Sequence, residues 1–312
     1  MADDRLNVQR NGISRPKDLP VAPIKLFDIV GGGEKADWEK NLIWLRIFLL
    51  MHVACRTIIA QHNPALDQEP WLAVMHSLLI AVCLAGLIPR VTWLATVIAT
   101  GLLGIQVLGT MPITANHIFL EFLCLALLGL LHESRIQERD LAVKALRWLV
   151  VIMLFHSGFQ KLVYGYYFDG QFLAYATATE DRLACFFRFF MPADEFARLR
   201  SLRDAALGMG PYRVNSALFV AISNIAYLFE LAAPALLAVR KTRSFAVIAT
   251  ILFVVAIEAG ARELLFGALV INLLLLSLPG QWNKRLFPLF AGCYLYVVVA
   301  NFDWLPMFRY YH

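Results

Sequence analysis

The sequence predicts an all-α integral membrane protein, a polytopic helical bundle of about nine transmembrane helices. Three observations carry this. Hydrophobic residues make up 60% of the chain and charged ones 16%, with a mean hydropathy of +0.63. Soluble domains are about 45–50% apolar and about 25% charged. The apolar excess sits in blocks, several of them near the about 20 residues that a helix needs to cross a bilayer. Lys and Arg gather at the ends of those blocks, on alternate loops. Unpaired backbone groups are too costly in lipid for an open chain, and blocks of this length select helices. The formal charge of +5 invites a nucleic-acid reading. It is set aside because the basic residues flank apolar blocks, where they anchor topology.

Residues 1–41 form a polar N-terminal arm with Pro16, Pro20, Pro23 and the run Gly31-Gly32-Gly33. It has no apolar core followed by a small-residue cleavage site, so no cleaved signal peptide is expected. A short helix lying on the membrane is expected near Trp38. Residues 42–312 form the transmembrane domain. Its predicted spans are Leu42 to Ala60, Trp71 to Ile88, Thr92 to Thr110, Ala115 to Leu131 and Leu141 to Tyr164, then Ala217 to Val239, Phe245 to Gly260, Leu264 to Leu278 and Leu286 to Asn301. Residues 168–214 form an amphipathic connection. There Phe186-Phe187 and Phe189-Phe190 alternate with Arg182, Arg188 and the Arg198-to-Arg203 cluster, as in a helix lying in the membrane interface.

The arm, the His132-to-Lys144 loop, Arg240-Lys241-Thr242-Arg243 and Lys284-Arg285 are basic, and Arg90 marks another boundary on the same side. The loops Gln61 to Pro70 and Met111 to Thr114 carry no Lys or Arg. The positive-inside rule then puts the N-terminus in the cytoplasm and, after an odd number of crossings, the C-terminus outside. The basic 168–214 connection is the exception, and long connections translocate largely regardless of charge.

Cys55, Cys83, Cys124, Cys185 and Cys293 are scattered singly and read as small apolar fillers, without disulfide or metal spacing. The ionisable residues within the spans are more informative, because a charge at mid-membrane costs at least about 2.5 kcal/mol and so faces a cavity or a partner. Arg46, His52 and Arg56 lie in the first span, His117 and Glu121 in the fourth, His156 and Lys161 in the fifth, and Glu230 in the sixth. His117 and Glu121 share a helix face. They are either a structural pair or a proton relay and substrate contact. No second Glu-x-x-His motif accompanies them, so no metal site is predicted. Arg262 with Glu258 or Glu263 reads as an ion pair at a tight turn. Lys161 follows Ser157 and Gly158, which clear its face one turn back. It is either a ligand-facing amine or a lysine snorkelling to the outer interface beside Tyr164, Tyr166 and Tyr167.

The run Phe155-His156-Ser157-Gly158-Phe159-Gln160-Lys161-Leu162, with Tyr167-Phe168-Asp169-Gly170, resembles the signature of the vitamin K-dependent γ-carboxylases. It also resembles their bacterial relatives, the horizontally transferred transmembrane domain (HTTM) proteins. Thr114-Ala115-Asn116-His117, Leu45-Arg46-Ile47-Phe48, Gly86-Leu87-Ile88-Pro89-Arg90 and Phe229-Glu230-Leu231 with Pro234 fit in order and spacing. The resemblance covers roughly Leu42 to Pro279 and rests on the order of motifs that are individually unspecific. It implies a lyase-like membrane enzyme with a reduced, vitamin K hydroquinone-like quinone as cofactor. Lys161 is then the catalytic base and His117 the second catalytic residue. Asn116, Glu121, His156, Ser157, Gly158, Tyr164 and Glu230 are the substrate-binding candidates. Lys161, His117, Glu121 and Glu230 are expected to converge on one cavity in the outer half of the membrane. The bacterial relatives imply a bacterial inner membrane, with membrane lipids and a quinone or another apolar small molecule as partners.

The sequence departs from the signature at Gln160, where a second lysine belongs, and at Ala256-Ile257-Glu258, where a Phe-His pair belongs. It ends at His312 without the large extracytoplasmic region that binds protein substrates in the carboxylases. The expected substrate is therefore quinol-like or lipid-like, with oxygen-dependent or carboxylating chemistry open. The alternative is a non-catalytic lipid- or quinone-binding membrane protein, or a subunit of a membrane complex, on the same fold.

Overall fold

The computed structural model describes residues 35–61, 70–111, 116–132, 135–202 and 212–302. Outside them lie most of the polar arm, Thr114 and Ala115 of the Asn-His motif, and Arg203. The described residues form twelve helices and no strand. In chain order these are α1 (Lys35–Ala60), α2 (Pro70–Ala85), α3 (Thr92–Thr110), α4 (Asn116–Leu130), α5 (Ile136–Tyr164), α6 (Gln171–Thr179), α7 (Asp181–Phe187), α8 (Ala193–Ser201), α9 (Ala217–Ala238), α10 (Arg243–Ala261), α11 (Leu264–Leu275) and α12 (Trp282–Asn301). Each of the nine apolar blocks is a helix.

Five helices are long and apolar enough to cross a membrane: Glu39–Ala60 of α1, and α3, α5, α9 and α10. Helices α2, α4 and α11 are apolar but shorter. The faces turned away from the bundle carry Leu108 at 78% exposure, Leu130 at 80% and Leu252 at 65%. So much exposed aliphatic surface on every side suits lipid and not water. The described residues form an all-helical bundle that fits a membrane protein.

Helix α1 is its axis. Of its most apolar stretch 72% is buried, against 28% for α10 on the periphery. It packs on α2, α3, α4, α5, α11 and α12. It begins at Lys35, so the place expected for a separate surface helix near Trp38 is the first turn of α1 itself.

Apolar surroundings leave the last carbonyls of a helix without water, and three buried arginines serve them. Arg46 of α1 donates Nη2 to the Leu128 carbonyl of α4 at 2.7 Å. Arg147 of α5 donates through Nε, at 3.1 Å, and Nη2 to the Leu276 carbonyl that ends α11. Arg243 of α10 donates Nε to the Leu237 carbonyl of α9 at 3.1 Å. A buried carbonyl left unpaired costs about 1–3 kcal/mol, and the cationic donors also meet the negative ends of the helix dipoles. All three caps sit beside basic loops, so one end of the bundle holds both the loop charges and these anchors.

The 168–214 connection is not one interfacial helix. Its three short helices α6, α7 and α8 fold over a core of their own, with Ala174, Ala178, Phe187, Met191, Leu199 and Phe219 buried. Phe187 points into that core, while Phe189 is 71% exposed. Arg200 caps α6 by donating to the Thr177 and Ala178 carbonyls at 3.2 and 2.9 Å. The arginines of this layer thus serve backbone ends as well as its surface. At the turn between α10 and α11, Glu263 faces Arg182 of α7 at 3.7 Å. Arg262 instead closes α10 in the left-handed conformation (φ 57°) and is exposed. The cross-layer pair replaces the local one expected from spacing.

Candidate functional site

Among the described residues, two polar clusters inside the bundle gather ionisable side chains singled out in the sequence. The first joins α5 and α9. Lys161 Nζ donates to both carboxylate oxygens of Glu230, at 2.5 Å each. Ser157 Oγ, one turn below, donates to Glu230 Oε2 at 3.0 Å. Gly158 allows the approach: a Cβ there would stand 2.9 Å from the Glu230 carbonyl carbon and the Leu231 nitrogen. Four residues on, Pro234 lies inside α9 and has no N–H for the Glu230 carbonyl. The helix is therefore loosened at the residue that carries the carboxylate.

The ceiling of this cluster comes from the chain just past α5. Gly165 ends the helix at φ 71°, a conformation that costs glycine little. The turn then lays Tyr167 beside the amine, with Nζ 5.2 Å from its ring centroid. Helix α9 pins the turn: Ser223 Oγ donates to the Tyr167 carbonyl at 2.7 Å and Asn224 Nδ2 to the Phe168 carbonyl at 2.9 Å. The Lys161 side chain keeps 21% exposure and that of Glu230 7%, so a molecule arriving from the lipid meets the amine first.

The second cluster joins α1, α4 and α12. Glu121 is fully buried and accepts from Arg56 Nε at 2.7 Å and from His52 Nε2 at 2.9 Å. A carboxylate only accepts, so the His52 proton is assigned to Nε2. His52 Nδ1 then accepts from the Tyr294 hydroxyl at 2.6 Å. Tyr294 is 1% exposed and stands edge-on to His52. The guanidinium and the carboxylate cancel in charge.

The sequence candidates are thus divided between the clusters. Lys161, Ser157, Gly158 and Glu230 meet at α5 and α9. Glu121 is the centre of the second cluster. His117, on the same face of α4, is exposed and acts on Glu121 electrostatically. Asn116 is the first residue of α4. His156 is exposed on α5, and Tyr164 is 66% exposed and stacked on Tyr166. His52 and Arg56 were visible in the sequence as charges within a span, but Tyr294 was not. Its hydroxyl meets an imidazole 242 positions away, which no local spacing signals. Among the described residues, no group of three or more His, Cys, Asp or Glu is placed to hold a metal ion.

No family model matches this chain, and neither a curated protein nor a solved structure matches it.

The buried charge pair has a measurable consequence. Glu121→Gln leaves Arg56 buried without its counter-charge and is expected to cost about 3–5 kcal/mol of stability. Combining Glu121→Gln with Arg56→Met is expected to cost less than the sum of the single changes, since the stranded charge is removed as well. Denaturant unfolding in detergent measures both. Additive losses would mean that the two groups do not interact.

Proposed function

We propose that the chain is a nine-span membrane protein with its N-terminus in the cytoplasm and its C-terminus outside. We further propose that the Lys161–Glu230 pair is the acid–base site of a membrane-embedded enzyme acting on a quinol-like or lipid-like substrate. The observation that carries the enzymatic reading is the pair itself. A cation and a carboxylate share two short hydrogen bonds between packed apolar helices, within reach of the lipid. Ionisable groups so placed are costly to bury and mark functional sites more often than packing contacts.

The chemistry follows from the geometry. Transfer of one Nζ proton to a Glu230 oxygen turns the ion pair into a neutral amine and a carboxylic acid with no movement of heavy atoms. Ser157 holds the carboxyl in place through that change. The neutral amine of Lys161 is then a general base for an acidic hydroxyl, such as that of a phenol. The donors and acceptors of Lys161, Ser157 and Glu230 fit such a hydroxyl group. A reduced quinone, the cofactor implied by the resemblance to the γ-carboxylases and HTTM proteins, would supply there the stronger base that removal of a carbon-bound proton demands. His117 is assigned a proton-relay role with Glu121 on the second cluster. A second reading is a lipid- or quinone-binding protein without catalysis. The bidentate Lys161–Glu230 contact favours it to the extent that it simply locks α5 to α9.

Topology is tested by labelling. A membrane-impermeant maleimide applied to intact cells is expected to modify Cys185 on α7. It is expected to spare Lys241→Cys, between α9 and α10, in a Cys185→Ser background. Labelling of both positions from outside contradicts the nine-span arrangement.

The base role is tested once mass spectrometry of co-purifying quinones and lipids has supplied a substrate. Lys161→Arg keeps the charge, but arginine is effectively never deprotonated. Turnover is expected to fall by about 10²–10⁴-fold, the usual contribution of a general base. Wild-type turnover in Lys161→Arg returns the residue to an anchor.

A further inference from the structure

Two buried nitrogens, one in the second cluster and one beside it on α2, are without a hydrogen-bond partner among the described residues. Arg56 gives its Nε to Glu121, while its Nη2 is buried with no hydrogen-bond partner among the described residues. His76 on α2 places Nε2 3.1 Å from Gln106 Nε2, and its Nδ1 is likewise buried and unpartnered. Both residues are more than nine-tenths buried, at 7% and 3% exposure. With the Gln106 amide nitrogen donating, His76 Nε2 accepts and the ring proton is assigned to Nδ1. Both unused atoms are therefore donors. Helices α1 and α2 pack together, and just past the end of α1 Gln61 Nε2 donates at 3.1 Å to Ser77 Oγ, the residue after His76, which places the two donors in one neighbourhood between these helices. Each donor left unpaired in apolar surroundings costs about 1–3 kcal/mol, so an acceptor between them would be favoured.

Charge decides which acceptor. The Arg56 guanidinium is already neutralised by Glu121 at 2.7 Å. An anion here would bring a second negative charge into the surroundings of a buried carboxylate whose counter-charge Arg56 already supplies. A neutral oxygen accepts from both N–H groups and adds no charge. We propose that Arg56 and His76 form a binding subsite, between α1 and α2, for the neutral carbonyl oxygen of an apolar molecule. Either an acyl ester of a lipid or a quinone ring carries such an oxygen. The subsite is built on helices other than those of the Lys161–Glu230 pair and stands independently of the function proposed for that pair.

The test uses the full-length protein in detergent and four probes: decane, methyl decanoate, decylubiquinone and sodium decanoate. Binding is read by native mass spectrometry and by the thermal midpoint. At least one of the two neutral carbonyl probes is expected to bind, the ester alone pointing to a lipid and the quinone alone to a quinone. Its affinity is expected to fall about tenfold or more in His76→Phe, which keeps a ring but loses the donor. His76→Gln, which keeps an N–H, is expected to retain more of the affinity than His76→Phe. The proposal is overturned if decane or decanoate binds as well as the carbonyl probes, or if none of the probes binds. It is equally overturned if His76→Phe keeps wild-type affinity, or if His76→Gln does no better than His76→Phe.

Discussion

A bundle surrounded by hydrocarbon has no water with which to settle its polar groups, so each must find its partner inside. This constraint accounts for the arrangement more fully than hydrophobic packing does. Leucine gains little from leaving lipid for a protein interior, whereas an unpaired carbonyl or charge loses several kcal/mol. The helices are accordingly joined by polar contacts at both ends. At the basic end Arg46, Arg147 and Arg243 take up the carbonyls that close α4, α11 and α9. Nearby, Asn41 reaches the Gly280 carbonyl at 2.7 Å and Asn283 the Asn272 carbonyl at 2.9 Å. Toward the other end, Glu121 joins α4 to α1, His52 extends the network to α12, and Lys161 with Glu230 joins α5 to α9.

The two clusters meet the same constraint differently. Glu121, His52 and Tyr294 are enclosed in the core, and the Arg56 charge is matched there by Glu121, with one guanidinium nitrogen left unpartnered. Lys161 is only partly enclosed, and its partner sits where Pro234 removes a backbone hydrogen bond and Gly158 removes a side chain. A site that must admit a ligand needs some such local loosening, and a purely structural lock does not. This contrast underlies the proposal that the α5–α9 pair is the site of chemistry.

Much of this was legible in the sequence, and for a physical reason. A span is a local property: length and hydropathy decide it, so every block from Leu42 to Asn301 recurs as a helix. The Ser157-Gly158 step before Lys161 and the Pro234 after Glu230 were also local, and both mark the contact. What joins distant segments was not legible. Lys161 meets Glu230 across 69 positions and His52 meets Tyr294 across 242. Nothing in the spacing divides Glu121 from Glu230 between two clusters. The phenylalanines of 186–190 read as one face of an interfacial helix because their pattern is amphipathic. Tertiary packing then turned Phe187 inward against Phe219, with ring centroids 5.2 Å apart.

The central claim is that Lys161 and Glu230 form a reacting pair and not merely a clasp between α5 and α9. A charge swap separates these most directly. Lys161→Glu with Glu230→Lys retains an ion pair between the helices but moves the amine off the face prepared by Ser157 and Gly158. The quantity to measure is the amount of the co-purifying apolar ligand in the swapped protein, alongside its unfolding midpoint. The swapped protein is expected to fold, with most of the stability lost in either single change restored, and no longer to retain the ligand. A swapped protein that holds the ligand as the wild type does would contradict it.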